Sequence, residues 1–427
     1  MQEILKIFLF NKESKIWLIL CRGVGALIFF LTTIFMTNNY KISLVGDFDY
    51  ARSILLLLGS FALLGLDRSI LQFTGVLSSK NRTEEVYHLY KKMILIILCV
   101  YITLVTVYFI SPYKYVLFFV HDNKTYLLVS KIILSILFYA ITLFNTEVFR
   151  IFDRNLTSEF YRGIFKYLLL AIAVILLFQN NLQEYIIECF LLSFILLFII
   201  SSIHISYLFS KCSKKTVITY KEIIIKSYPM AISSLGFLIL LSIDIVFLKK
   251  YYDEEQVAIY AQPIKLISLI SLIQTTIQAA ISKKIAKEFY SKNTHELLIL
   301  TRKYTRLIML LSVPVLLGFG LFPSFFLEFF GDFYVQGNTV FSILLIGSTV
   351  NAACGCTSVY MNMTGKQKIL QNILIMTILI NLIVNFLLIP SYGIEGAAIA
   401  SSLSLIFWNL SVVIYVYVKE RILLILN

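Results

Sequence analysis

Long apolar runs alternate with short polar breaks along this chain, and the runs recur at the length of a membrane crossing. Twelve stretches of roughly 20 residues stand out. They cover approximately 16–37, 48–75, 93–111, 125–147, 163–179, 184–209, 227–248, 257–282, 304–327, 338–362, 369–389 and 395–417. Backbone crossing hydrocarbon must satisfy its own hydrogen bonds, so each run predicts a helix. The break between the fifth and sixth runs is only Gln179-Asn180-Asn181. The fold class that follows is an all-α polytopic membrane protein with 12 transmembrane helices.

Composition agrees with that pattern. Hydrophobic residues make up 59% of the chain, charged residues 14%, and the mean hydropathy is +0.86. A soluble fold cannot cover so much apolar surface. The run from Ile16 onward reads as a retained first helix rather than a signal peptide. Met1–Phe10 reads as a short interfacial helix before it. The six cysteines and four histidines are scattered, and Cys354-Gly355-Cys356 reads as helix packing rather than a metal site.

Charge fixes the expected orientation. Of 37 Lys and Arg residues, 27 fall in or beside alternate connections on one side, six in or beside those on the other, and four deeper within spans. The positive-inside rule places both termini in the cytoplasm. The net charge of +13 is first a topology signal, with anionic membrane lipids as its natural partners and no nucleic acid implied. No loop is long enough to fold alone, and 283–303 reads as a basic amphipathic segment on the cytoplasmic surface.

The chain also repeats itself. Tyr50-Ala51 opens the second span, and Tyr260-Ala261 occupies the same place in the eighth, 210 positions on. Gly25 and Gly236 match at an offset of 211, as do Arg154-Asn155 and Gly365-Lys366. Two parallel six-helix lobes follow, 1–209 and 227–427, joined by a cytoplasmic linker over 210–226.

Polar residues inside the spans carry the candidate chemistry. Gln262, Lys265, Ser268, Ser271, Thr275, Gln278 and Ser282 form one stripe on the eighth span. Ser348, Asn351, Gly355, Ser358 and Asn362 form another on the tenth. Such stripes line a hydrated cavity or bind helices to one another. Arg22, Arg52 and Lys265 would line a central cleft at different depths, suited to a phosphate or pyrophosphate. The competing reading makes Arg22 and Arg52 cations that reach the headgroups. Asp244, Asn381 and Asn385, with Ser401, Ser402 and Ser404, fall at similar depth. They form either a hard-cation or proton site, for Na⁺ or H⁺ as coupling ion, or a hydrogen-bonded clamp.

Several motifs together resemble the polysaccharide-flippase branch of the multidrug/oligosaccharidyl-lipid/polysaccharide exporter superfamily. They are Arg22-Gly-Val-Gly25, Gly46-Asp-Phe-Asp-Tyr50, Leu64-Gly65-Leu66, Asp244, Tyr260-Ala261, Gly365-Lys366 and Asn381 through Ala398. The resemblance implies a V-shaped two-lobe transporter, not an enzyme. It would move undecaprenyl-pyrophosphate-linked oligosaccharide units outward for O-antigen, capsule or exopolysaccharide synthesis. A polysaccharide polymerase and a chain-length regulator would be its protein partners. Related lipid II flippases place basic residues on helices one, two and eight, matched here by Arg22, Arg52 and Lys265. Their cation site on helices seven, eleven and twelve is matched by Asp244 and Asn381, with Asn385 where an acid would bind more strongly. The competing functions are a multidrug exporter of the same fold and an integral-membrane polysaccharide polymerase.

Overall fold

The computed structural model describes residues 14–79, 82–113, 122–209, 216–291 and 294–421. The expected interfacial helix at Met1–Phe10 lies outside them. The described residues are helical throughout and contain no strand. Eleven helices are long and apolar enough to cross a membrane. One of these, Gln367–Glu420, runs 54 residues and breaks at Gly393 (φ 54°, ψ −130°), so it supplies both the eleventh and the twelfth crossing.

The twelve predicted spans map one to one onto this series, with informative departures at their ends. The second span runs Ile42–Leu77 and is interrupted where Leu64 and Gly65 take left-handed φ values of 45° and 72°. A Cβ on Gly65 would lie 2.4 Å from the backbone nitrogen of Ala231, so the seventh span passes too close for any side chain there. The fifth span starts at Asn155, not near 163, which brings Arg162 inside the helix and puts Lys166 near its middle rather than near its start. A π-helical turn at Phe160–Phe165 interrupts it beside Gly25, whose Cβ would meet Gly163 at 3.0 Å.

The basic segment 283–303 is not a separate surface helix. The eighth span continues as helix to Tyr290 and the ninth begins at Thr294. Between the eleventh and twelfth spans the chain turns at Gly393, three residues after Pro390, so tightly that a Cβ on Gly396 would lie 2.6 Å from the Leu388 carbonyl oxygen.

The chain forms two compact units. One holds Tyr50–Leu238 with the segment up to Leu44, and the other holds Ile239 onward together with Val45–Asp49. The first unit is cored by aromatics, including Phe144, Phe149 and Phe194. In the second, Ala397, Ala398 and Ala400 are fully buried, and a Cβ on Gly347 would sit 3.0 Å from Ser402. Small residues let the tenth and twelfth spans approach backbone to backbone, as helix packing in hydrocarbon favours.

The Gly46–Tyr50 motif has a physical explanation in the second unit. A Cβ at Gly46 would fall 1.8 Å from the Glu254 carbonyl oxygen. Asp47 then meets Lys249 at 3.0 Å, and Lys249 meets Glu254 at 2.6 Å.

Candidate functional site

Helical spacing separates two faces of the eleventh span. Asn381 and Asn385, four residues apart, are fully buried, whereas Ile383, Phe386 and Leu387 are about 60% exposed. The apolar side suits lipid, and the amides point into the second unit.

They meet Asp244 there. Its carboxylate accepts hydrogen bonds from Asn385 Nδ2 at 2.6 Å, from Tyr260 Oη at 2.8 Å and from Ser401 Oγ. Asn385 also donates to Asn381 Oδ1 at 3.2 Å. Asp244 is 2% exposed, and every donor bound to it is neutral. Two amide atoms, Asn381 Nδ2 and Asn385 Oδ1, are buried without a hydrogen-bond partner. Among the described residues no group of three or more His, Cys, Asp or Glu could hold a metal. The Asp244 cluster therefore holds one buried acid among two hydroxyls and an amide NH2, with the amide oxygens of Asn381 and Asn385 in the same buried face.

Lys265 has a different setting. Its ammonium lies 2.8 Å from Asp49 Oδ1 and donates to Gln262 Oε1 at 3.1 Å. Gln262 Nε2 in turn donates to Asp49 Oδ2 at 3.3 Å and to the Ala258 carbonyl at 3.0 Å. Lys265 is 6% exposed and Asp49 1%. The ion pair answers the cost of carrying a lone charge inside the span.

The other predicted polar pair gathers at the break in the tenth span. Gly355 adopts φ 48° and leaves carbonyls outside the helix ladder. Gln278 Nε2 donates to the Gly355 carbonyl at 2.7 Å, while Asn351 Nδ2 donates to Gln274 Oε1 at 2.7 Å. Gln274 also reaches the Asn351 carbonyl at 3.2 Å. The eighth span thus satisfies the broken turn with two glutamines.

In the first unit, Arg22 forms a two-pronged bond to Glu159, at 3.0 Å from Nε and 2.6 Å from Nη2. Glu159 also accepts Arg150 at 2.7 Å, and Glu147 accepts Arg150 at 2.9 Å and Arg162 at 2.6 Å. Both glutamates are nearly buried and both answer more than one guanidinium. Arg52 instead rests over the Phe29 ring, 4.6 Å from its centroid.

Some of these partners escaped the sequence reading. Glu147 and Glu159 stood near predicted span ends, where charge is unremarkable. The Glu147/Arg150 spacing of three was the available signal. Tyr260 was read only as part of the repeat, yet its hydroxyl binds Asp244. Asp49 lay in a quoted motif without an assigned partner.

Comparison with known proteins follows this geometry. The sequence model described as polysaccharide biosynthesis protein matches residues 12–281, and the MatE model matches residues 229–387. No curated protein sequence matches the chain. Solved structures match over nearly its whole length. The lipid II flippase MurJ in an inward closed conformation aligns at TM-score 0.74 and 14% identity, covering 94% of this chain and 87% of that one. An inward-facing multidrug resistance MATE family transporter aligns at TM-score 0.69 and 14% identity, covering 96% and 98%. A MOP superfamily transporter from Pyrococcus furiosus aligns at TM-score 0.65 and 12% identity, covering 95% of this chain and 93% of that one. At these identities the likeness is one of fold.

Proposed function

We propose, from the premise that this chain belongs to the polysaccharide biosynthesis protein family, that it flips polyprenyl-pyrophosphate-linked oligosaccharide units from the cytoplasmic to the outer leaflet of a bacterial inner membrane. The family match over residues 12–281 supports a substrate from polysaccharide synthesis. The MurJ- and MATE-like fold supports transport by alternating access. In this reading both termini are cytoplasmic, and the exported units feed O-antigen, capsule or exopolysaccharide synthesis.

The Asp244 cluster is the coupling site in this proposal. Sodium or a proton would supply positive charge beside a buried carboxylate that has none. Asp244 would hold it, with the oxygens of Asn381, Asn385, Ser401 and Tyr260 completing the shell. The partnerless Asn385 Oδ1 supports that role. Occupancy biases the transporter only through different affinity in its two conformations.

A leaflet assay tests the function. In a strain lacking the gene but still making the lipid-linked unit, the unit should accumulate on the cytoplasmic face. Restoring the gene should move it outward. Normal outer-leaflet appearance without the gene overturns the reading. A cation-coupled multidrug exporter is the second reading, favoured by the MatE match over residues 229–387. Drug efflux without an effect on polymer export would support it.

A further inference from the structure

Two of the three cations expected to grip an anionic substrate already have carboxylate partners. Arg22 is bound to Glu159 and Lys265 to Asp49. Arg52 makes no ion pair with a carboxylate among the described residues. A fourth cation, Lys166, stands only four residues into the fifth span as the sequence predicts it. It is instead the twelfth of the 25 residues in the span Asn155–Gln179. At 1.5 Å per residue it lies roughly 16–20 Å from either helix end, near the middle of a bilayer.

Lys166 and Arg52 share one aromatic platform. The Lys166 ammonium lies 4.2 Å from the Tyr167 ring centroid, and Arg52 lies 4.6 Å from that of Phe29. The two rings pack against each other with centroids 4.7 Å apart. Both cations lie close enough to the Tyr167 hydroxyl to act on it electrostatically. All four side chains belong to the first unit and all are partly exposed. Lys166, like Arg52, makes no ion pair with a carboxylate among the described residues.

Ring faces attract cations but do not neutralise them. Two positive charges at this depth without acids are costly unless water or an anion attends them. The nearby glutamates do not serve this pair, because Glu147 and Glu159 bind Arg22, Arg150 and Arg162. The geometry points to a phosphate-class anion seat formed by Arg52, Lys166 and the Tyr167 hydroxyl, with Phe29 and Tyr167 as the adjoining aromatic floor. Arginine supplies a fork of donors, lysine a point charge, and the tyrosine hydroxyl a neutral donor. This assignment rests on the lipid-pyrophosphate reading above and says which residues hold the head group.

The purified full chain in detergent provides the test. Binding of undecaprenyl pyrophosphate would be compared with undecaprenol, phosphatidylglycerol and inorganic pyrophosphate. Wild type should prefer the pyrophosphate lipid to both other lipids, and inorganic pyrophosphate should compete. Lys166→Gln and Arg52→Gln should each weaken pyrophosphate-lipid binding by about tenfold while undecaprenol binding holds, because each removes a charged hydrogen-bond donor. Lys166→Arg, which keeps the charge, should retain most of the affinity, and Tyr167→Phe should lose less than either Gln variant. Melting temperatures identify variants that lose binding by unfolding, and Lys166→Arg and Tyr167→Phe keep the test decisive if a Gln variant unfolds.

If wild type prefers the pyrophosphate lipid and the folded Gln variants retain that preference, the seat is wrong and the functional reading stands. If wild type shows no preference over undecaprenol, both fail. Equal binding of phosphatidylglycerol would mark a general lipid contact and also overturn the seat.

Discussion

Glu147 and Glu159 in the first unit and Asp244 in the second are all buried acids inside spans, yet their surroundings are opposite. The two glutamates face three arginines, at distances of 2.6–2.9 Å. Asp244 faces two hydroxyls and an amide, with no cation among the described residues. The first cluster has its countercharge built into the sequence. The second must take its positive charge from outside or carry a proton. An acid permanently paired to arginine can brace helices but has little freedom to exchange an ion. An acid held only by neutral donors keeps that freedom, and this is the ground for proposing Asp244, rather than either glutamate, as the coupling site.

The largest expected effect is on coupling. Asp244→Asn keeps the shape and removes the charge, so transport driven by a Na⁺ or proton gradient should fall by roughly tenfold or more, within the usual range of coupling energies. Gradient-stimulated transport that persists in this variant would reduce the Asp244 cluster to a structural clamp.

Stability should respond with opposite signs in the two regions. Glu159→Gln strands Arg22 and leaves Arg150 with Glu147 alone, and should cost about 1–3 kcal/mol after allowing for the solvent exposure of Arg22. Asp244→Asn in cation-free buffer removes an uncompensated buried charge and should leave the melting temperature unchanged or higher. Thermal unfolding in detergent decides it, and a comparable loss in both variants would erase the contrast.

A cation titration sharpens the same point. If Na⁺ is the coupling ion, it should stabilise wild type by about 1.4 kcal/mol at ten times its dissociation constant. It should not stabilise Asp244→Asn. Equal stabilisation of both proteins would place sodium elsewhere, and no response in wild type would leave the proton as the coupling ion.

The smallest effect lies outside the spans. Arg82 hydrogen-bonds Glu85 and holds that carboxyl below its usual pKa, with Thr216 and the Val217 backbone assisting. A lowered folded-state pKa adds stability above the unfolded value and loses it as pH falls through the folded one. Glu85→Gln should therefore lower stability slightly at neutral pH, and the difference from wild type should vanish under strongly acidic conditions. A difference that grew on acidification would contradict the ion pair.

Much of the fold was legible because hydrocarbon imposes one rule on every span. The twelve runs needed only apolar length, and Gly393 divides the last two where sequence placed a turn. The Asp244 cluster was partly legible for a related reason. Amides four residues apart in an apolar run must share a buried face, as Asn381 and Asn385 do. The start of the fifth span was not legible. Arg162 and Lys166 look like charges at the edge of the span until Glu147 is seen to bind Arg162 and Tyr167 is seen beneath Lys166. Tertiary partners change the cost of a charge, and those partners come from residues distant in sequence. Lys265 shows the same limit, since nothing local announces that Asp49, 216 positions earlier, reaches it.

Reconstituted flipping tests the central claim most directly. Proteoliposomes containing the full chain would carry a polyprenyl-pyrophosphate-linked oligosaccharide, with a membrane-impermeant sugar-oxidising or lectin probe reporting its leaflet under an imposed Na⁺ or proton gradient. The account predicts protein-dependent transfer of the lipid-linked sugar, accelerated by one of the gradients in wild type and unaccelerated by either in Asp244→Asn. Transfer no faster than in protein-free vesicles under any gradient would contradict it.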